Sequence, residues 1–179
     1  MKYIALLRGI NIGSKNRIKM ADLRTIFESM GYENVKTYLQ SGNVIFDADS
    51  DNETKIADRI EKKINKTFGF SVNIIIRTES ELKDIVNNNP FIEENRTEID
   101  KFHVTFLKEK PDKETVLNLD LNNNENEKFE VIGREVYLHL PNGYSRTKLT
   151  NNTFEKKLKT IATTRNWKTA TKLLELSKK

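Results

Sequence analysis

The stretch VKTYLQSGNVIFDA, residues 35–48, holds two β-rich runs, VKTYLQ and VIFDA, around Ser41-Gly42-Asn43. Gly and Asn are the residues that tolerate the backbone of a tight turn, so the stretch predicts a β-hairpin. On its N-terminal side, KYIALL (2–7) is a short apolar run closed by Gly9 and predicts a buried strand. Leu23, Ile26, Phe27 and Met30 then repeat at helical spacing with Gly31 following, which predicts a helix over 20–30. On the C-terminal side, Ile56, Ile60, Ile64 and Phe68 space a second helix, starting near Asp51 or Asn52 and ending at Gly69, before the strand VNIIIR (72–77). The order strand, helix, strand, strand, helix, strand is the split βαβ pattern of ferredoxin-like domains.

Past residue 78 the order begins again. Ser80 is a cap for a short helix carrying Leu82, Ile85 and Val86, which NNNP (87–90) ends. FHVTFL (102–107) predicts a strand, Pro111 the first turn of a short helix through about Leu119, and FEVIGREVYLHL (129–140) a hairpin turning at Gly133. Two helices follow. One buries Phe154, Leu158, Ile161 and Ala162, starting near Asn151 or Asn152; the other starts within Thr163-Thr164-Arg165-Asn166-Trp167. The expectation is an α+β chain of two ferredoxin-like subdomains, 1–78 and 102–179, joined by a connecting helix and loop over 79–101. The second subdomain lacks a clear fourth strand and ends in two helices.

The chain has 179 residues, 36% hydrophobic and 32% charged, with no cysteine. By size scaling it buries about 70% of its unfolded surface, so it needs no disulfide, metal or partner to fold. No apolar run approaches the roughly 20 residues of a bilayer span, which excludes a membrane protein. The N-terminus lacks a signal peptide's h-region and cleavage site, and with the missing cysteines this fits a reducing cytoplasm. Charge is uneven: residues 1–46 hold seven basic against three acidic side chains, and residues 144–179 hold ten against Glu155 and Glu175. The middle is net acidic. Basic ends are the footprint of a phosphate-bearing partner, or simply a solvated helix face and tail.

The stretches ALLRGINIG (5–13), KMADLR (19–24), NVKTYLQSGNVIF (34–46), GREVYLHLPNG (133–143) and TTRNWKT (163–169) together resemble the uncharacterised bacterial family numbered 1697 among the domains of unknown function. The similarity runs over about residues 2–176, and the joint occurrence of LRGIN, QSGN and TRNW carries it. The resemblance implies a compact cytosolic α+β protein of two ferredoxin-like parts and implies no established activity.

The loop from Arg8 to Lys19 leads into a helix, and Arg8, Lys15, Arg17 and Lys19 give it the charge to hold an anion, with Asn11 positioning. Its spacing is neither GxGxxG nor a Walker loop, and glycine turns with an Asn11 bonded to its own backbone explain it equally well. Arg146 and Lys148, after the last hairpin, and Arg165 and Asn166 are further phosphate contacts. Taking the first and third strands as parallel puts the QSGN turn and the exit of strand one at opposite ends, about 17–20 Å apart, and separates Arg8 and Asn11 from Asn43. Ser41 has no base and no strand-to-helix context, so a nucleophile elbow is not expected. His103 and His139, on strands, read as satisfied or exposed side chains rather than bases, and no metal site or cofactor motif is present. Asp47, Asp49, Asp51 and Glu53 read as an acidic loop.

These features favour a binding or regulatory protein for a phosphate-bearing small molecule or nucleic acid. An enzyme acting on a small phosphorylated metabolite, like an acylphosphatase, is one alternative, and a protein-interaction module is another. Whether there is turnover, and in what oligomeric state, the sequence leaves open.

Overall fold

In the computed structural model, residues 1–49, 52–93, 97–121 and 123–178 are described. The chain divides into two compact units, Met1–Lys83 with Leu173–Lys179, and Asp84–Lys172. Among the described residues the architecture is α+β, two four-stranded antiparallel sheets with six α-helices, consistent with two split βαβ subdomains.

Unit 1 runs β1 (Lys2–Arg8), α1 (Met20–Ser29), β2 (Glu33–Tyr38), β3 (Asn43–Asp47), α2 (Glu53–Phe68) and β4 (Asn73–Thr78). Its sheet order is β2-β3-β1-β4. β1 is central and buried from Tyr3 to Leu7, which is why its sequence is an unbroken apolar run rather than an alternation. Tyr3, Ala5 and Leu7 face the helices, where Phe27 of α1 and Ile60 and Ile64 of α2 complete the core. Phe46 anchors it, with ring centroids 5.1 Å from Phe27, 4.7 Å from Tyr32 and 5.8 Å from Tyr3. On the other face Ile4, Leu6, Ile45, Ile75 and Arg77 are also buried. Asn52 caps α2, its Oδ1 accepting from the Thr54 and Lys55 amides; the alternative cap, Asp51, lies outside the described residues.

The expectation that strands one and three run parallel is overturned. β1 pairs β3 antiparallel, Leu6 opposite Asn43 and Lys2 opposite Asp47. A helix crossover returns β2 parallel to β1, and the hairpin then reverses direction, so β3 must oppose β1. The exit of β1 and the QSGN turn therefore share one end of the sheet.

The helix α3 (Glu79–Asn87) opens on a capping box that the choice of Ser80 as cap missed. The Thr78 amide donates to Glu81 Oε2 at 2.8 Å and the Glu81 amide donates to Thr78 Oγ1 at 3.2 Å.

Unit 2 repeats the order: β5 (Phe102–Leu107), α4 (Lys113–Leu117), β6 (Lys128–Ile132), β7 (Glu135–His139), α5 (Asn151–Leu158), β8 (Ala162–Asn166) and the start of α6 (Trp167–Ser177). Its sheet order is β6-β7-β5-β8, so a fourth strand exists where none was expected. Thr163 and Arg165 lie opposite Phe106 and Val104, while Thr164 Oγ1 bonds Thr105 Oγ1 at 2.7 Å and Asn151 Oδ1 at 2.6 Å. A strand whose buried residues are Ala162, Thr163 and Arg165 leaves no apolar run to find. The helix start expected at Thr163 shifts to Trp167, with the Asn166 Oδ1 accepting from the Thr169 amide at 2.8 Å. Pro111 stands before the Asp112 cap of α4 rather than in its first turn, and α5 is capped by Thr150 instead of an asparagine.

Gly42 marks where the hairpin seats against β1. Its φ is +79°, and a Cβ there would lie 2.6 Å from Ile10 Cδ1 and 2.8 Å from Leu7 Cβ. Gly69, the C-cap of α2 at φ +78°, meets nothing within 4 Å. Gly42→Ala should cost about 2–4 kcal/mol, overpacking added to a left-handed backbone, and Gly69→Ala about 1 kcal/mol. Urea denaturation of both variants checks the ordering; equal losses would show that the close packing at Gly42 relaxes freely.

Candidate functional site

One side chain ties together the two stretches that the parallel assumption separated. Asn11 Nδ2 donates to the Ile18 carbonyl at 2.9 Å and to the Gln40 carbonyl at 2.8 Å, and its Oδ1 accepts from the Ile18 amide at 2.9 Å. Both amide hydrogens are used, and the residue sits at φ +55°, a conformation asparagine tolerates. Asn11 is thus a clamp that closes the 9–19 loop on itself and pins it to the 39–42 turn. The Leu7 amide adds a 2.9 Å bond to the Gly42 carbonyl. Inside the loop, Asn11 N–H donates to the Asn16 carbonyl at 3.1 Å and Arg17 Nη1 to the Gly13 carbonyl at 2.8 Å.

Beside the clamp lies a cleft of about 510 Å³, lined by Asn11, Arg17, Ile18, Lys19, Asp22 and Gln40. Arg17 and Lys19 bring positive charge to it, Gln40 an amide and Asp22 a carboxylate. An arginine carries five N–H donors, so the bond to Gly13 leaves Arg17 able to reach a ligand. Arg8 is half-buried at the end of β1, opposite Asn73, and Lys15 is exposed at the tip of the loop; neither lines the cleft. Gln40 and Asp22 were not among the expected site residues. The antiparallel register alone would have put Gln40 beside Asn11.

Asn43 lies at this same end, contrary to the reason first given for setting it aside. It is fully buried, and its Nδ2 donates to the Tyr38 carbonyl at 2.7 Å and to Ser41 Oγ at 3.1 Å. It holds the hairpin turn and presents no open amide for positioning a water. Leu39, at the start of that turn, has φ +59° and is 49% exposed, a left-handed leucine turned to solvent.

The unit 2 candidates disperse. β7 is antiparallel to β5, with His139 opposite Phe102, so the segment 142–148 lies at the start of β5, not at the end where β5 leads to α4. It is therefore not the counterpart of the 8–19 loop. Arg146 and Lys148 are exposed there on either side of buried Thr147, whose Oγ1 accepts from the Leu149 amide. Arg165 is buried, and its Nη1 donates to Thr163 Oγ1 at 2.9 Å and to the Thr164 carbonyl at 3.0 Å. Burial lowers its pKa to about 10, with Tyr144 acting in the opposite sense. It braces the sheet rather than presenting itself to a phosphate. Asn166 is spent on capping α6, and Lys168 pairs with Asp100 on the surface.

His139 Nε2 lies 2.7 Å from Glu98 Oε2, and the His103 ring stacks on Tyr144 with centroids 5.3 Å apart. Among the described residues no three His, Asp or Glu side chains converge on a metal-sized site, and no helix is long and apolar enough to cross a membrane.

The fold and its clefts thus define a chain of two split βαβ units, one of which carries a cationic cleft built by a loop clamp. The chain belongs to the family described as Protein of unknown function (DUF1697), whose family model matches residues 1–137. Among solved structures, the conserved bacterial protein SP0830 from Streptococcus pneumoniae is similar in fold, with a TM-score of 0.77 at 24% identity over 99% of this chain and 98% of that one. No curated protein matches the sequence.

Replacing Asn11 with Ala removes three hydrogen bonds and leaves a left-handed alanine, which should cost about 2–4 kcal/mol. Asn11→Gly loses the same bonds without the backbone strain and should cost about 1 kcal/mol less. Amide exchange within 9–19 and 39–42 should accelerate in both; protection unchanged in either stretch would show that Asn11 is not the clamp.

Burial disfavours the His103 imidazolium and holds its pKa below the ordinary 6.5, the Lys101 carbonyl acting the other way. The unfolded chain then binds that proton more readily, so stability is lost as pH falls from about 6.5 toward the folded-state value. His103→Phe keeps a ring against Tyr144 and should flatten the pH 7 to 5 slope of unfolding free energy. An unaltered slope would assign it to other groups.

Proposed function

We propose that the protein binds a phosphate-bearing ligand in the cleft between the 9–19 loop and the 39–42 turn of unit 1. The observation that carries this reading is the cleft lining: Arg17 and Lys19, with the Gln40 amide, beside a loop that Asn11 has already folded. A prearranged loop loses little conformational freedom on binding, which is what a weakly enclosed cationic site needs in order to hold an anion. The guanidinium of Arg17 suits phosphate oxygens, and Lys19 adds a point charge. Asp22, also in the lining, opposes an anion and limits how much negative charge the cleft accepts. A cytoplasmic protein without cysteine and with basic ends fits such a ligand.

Nucleic acid is the competing ligand, and the exposed Arg146 and Lys148 of unit 2 are the cations that such a reading would add. Of the expected contacts, Arg165 is buried and Asn166 is a helix cap, which weakens that case. The acylphosphatase-like reading needs an asparagine free to hold a water, and Asn43 is buried within its own turn.

Thermal shift against inorganic phosphate, nucleotides, sugar phosphates and short RNA, at 50 and 200 mM salt, tests the reading. A ligand at a hundredfold over its Kd adds about 2.7 kcal/mol, a rise of roughly 5–10 °C at this size. Arg17→Ala should weaken binding about tenfold or more, and Asp22→Asn should tighten it a few-fold. A small phosphate should keep most of its shift at 200 mM salt, whereas a shift seen only with RNA and lost at that salt would favour nucleic acid. No shift with any of them overturns the proposal.

A further inference from the structure

Three side chains in the wall of the unit 1 cleft are uncommitted. Among the described residues the Lys19 ammonium, the Asp22 carboxylate and the Gln40 side-chain amide make no hydrogen bond or ion pair, although all three line the same space of about 510 Å³. Lys19 is the N-cap residue of α1, its side chain capping nothing, and Asp22 stands three positions on, in the first turn. Those two positions are close enough for the side-chain contacts of a capping box, so an ion pair between Lys19 and Asp22 is within reach and is not formed. The dipole of α1 favours a carboxylate in that turn. This accounts for the residue type, but not for its place in the wall of a cleft whose other charges are positive.

The wall thus sets Arg17 and Lys19 against Asp22, two positive charges and one negative, with the Gln40 amide able to donate or to accept. A phosphate monoester is close to doubly negative at neutral pH, and one ammonium group beside it completes the match charge for charge. Resting on the phosphate reading above, we infer that the cleft takes a small phosphate monoester that also bears an ammonium group, its phosphate at Arg17 and Lys19 and its ammonium at Asp22. The cations orient the phosphate, and Asp22 selects against phosphates that bring no positive charge of their own. Lys19 and Asp22 leave the chain within one helical turn, so a short spacer joins the two charges of the ligand.

Calorimetric titration of ethyl phosphate, 2-hydroxyethyl phosphate and 2-aminoethyl phosphate into the full chain isolates the ammonium, because the three differ only at the far end. Against Arg17 and Lys19 alone, an added ammonium lowers the ligand's net charge and weakens binding, so a preference for the amine has to come from an acceptor. With Asp22 as that acceptor, 2-aminoethyl phosphate should bind about three- to fivefold more tightly than ethyl phosphate, the gain of one exposed ion pair. It should also bind more tightly than 2-hydroxyethyl phosphate. Asp22 is exposed, so Asp22→Asn leaves the core of unit 1 untouched. That variant should tighten ethyl phosphate a few-fold and weaken 2-aminoethyl phosphate, and the preference should vanish or reverse. Glycerophosphoethanolamine, a diester with the chemistry of a lipid headgroup, has one charge fewer on its phosphate and should bind several-fold less tightly than 2-aminoethyl phosphate. Equal binding of ethyl and 2-aminoethyl phosphate to the parent chain, or a preference that survives Asp22→Asn, overturns the inference and leaves the phosphate reading standing. A 2-hydroxyethyl phosphate as tight as the amine overturns it in favour of a phosphorylated alcohol, and a diester as tight as the monoester in favour of a headgroup. If none binds, both readings fall.

Discussion

A right-handed crossover through a helix brings the second strand back parallel to the first, and a tight hairpin must then reverse the third. From that constraint follow the antiparallel pairs of the first three strands in each sheet, and a second helix crossover, β3 to β4 and β7 to β8, returns the fourth strand antiparallel to β1 and to β5 in the orders β2-β3-β1-β4 and β6-β7-β5-β8. It also decides what can meet. In unit 1 the loop leaving β1 and the turn entering β3 share one end, and the Asn11 bond to Gln40 is possible only there. In unit 2 the same constraint sends the 142–148 segment to the start of β5, so its two exposed cations do not repeat the arrangement in unit 1.

The elements with a strong apolar period were legible in the sequence. α1 and α2 carry their buried residues at the expected positions, Leu23, Ile26 and Phe27 in one, Ile56, Ile60 and Ile64 in the other. β1 and β4 hold runs of apolar residues because both of their faces are covered, whereas β5, buried throughout, alternates Phe102, Val104 and Phe106 with His103 and Thr105. β8 was invisible for the opposite reason. Its buried residues are Ala162, in the core of unit 2, and on the other face Thr163 and Arg165, with Arg165 bonded to Thr163 and to the Thr164 carbonyl, so burial left one small apolar residue and no apolar run. The capping box at Thr78 and Glu81 was present in the sequence as T-x-x-E, and Ser80 within it drew the assignment away.

The site was half legible, and its missing half was a matter of strand direction rather than residue type. Arg17 and Asn11 lie on a long polar loop, which marks them as candidates. Gln40 belongs to a turn that propensity explains completely, and only the pairing of Leu6 with Asn43 brings it beside the loop, whereas Asp22 lies in the first turn of the helix that the loop leads into and is there by chain continuity. A single error of direction thus removed Gln40 and misjudged Asn43 together. Correcting it did not make Asn43 catalytic, because proximity and availability are separate conditions, and its amide is already committed to Tyr38 and Ser41.

Arg165 and Arg17 show how burial sorts equivalent residues into different work. Both are arginines bonded to a nearby carbonyl, and both were expected to contact phosphate. Arg165 is within the sheet, where desolvation lowers its pKa to about 10 and its donors serve Thr163 and Thr164. A ligand could reach it only by uncovering a side chain that is buried and already bonded. Arg17 spends one donor on Gly13 and keeps its remaining donors on an exposed loop beside a cleft. The cost of recruiting it is the ordering of one side chain on a loop already held by Asn11, a much smaller term than uncovering a buried guanidinium and breaking its hydrogen bonds. Charge counted along the chain treats the two alike, whereas the free energy of presenting that charge to a ligand separates them, and it favours the loop.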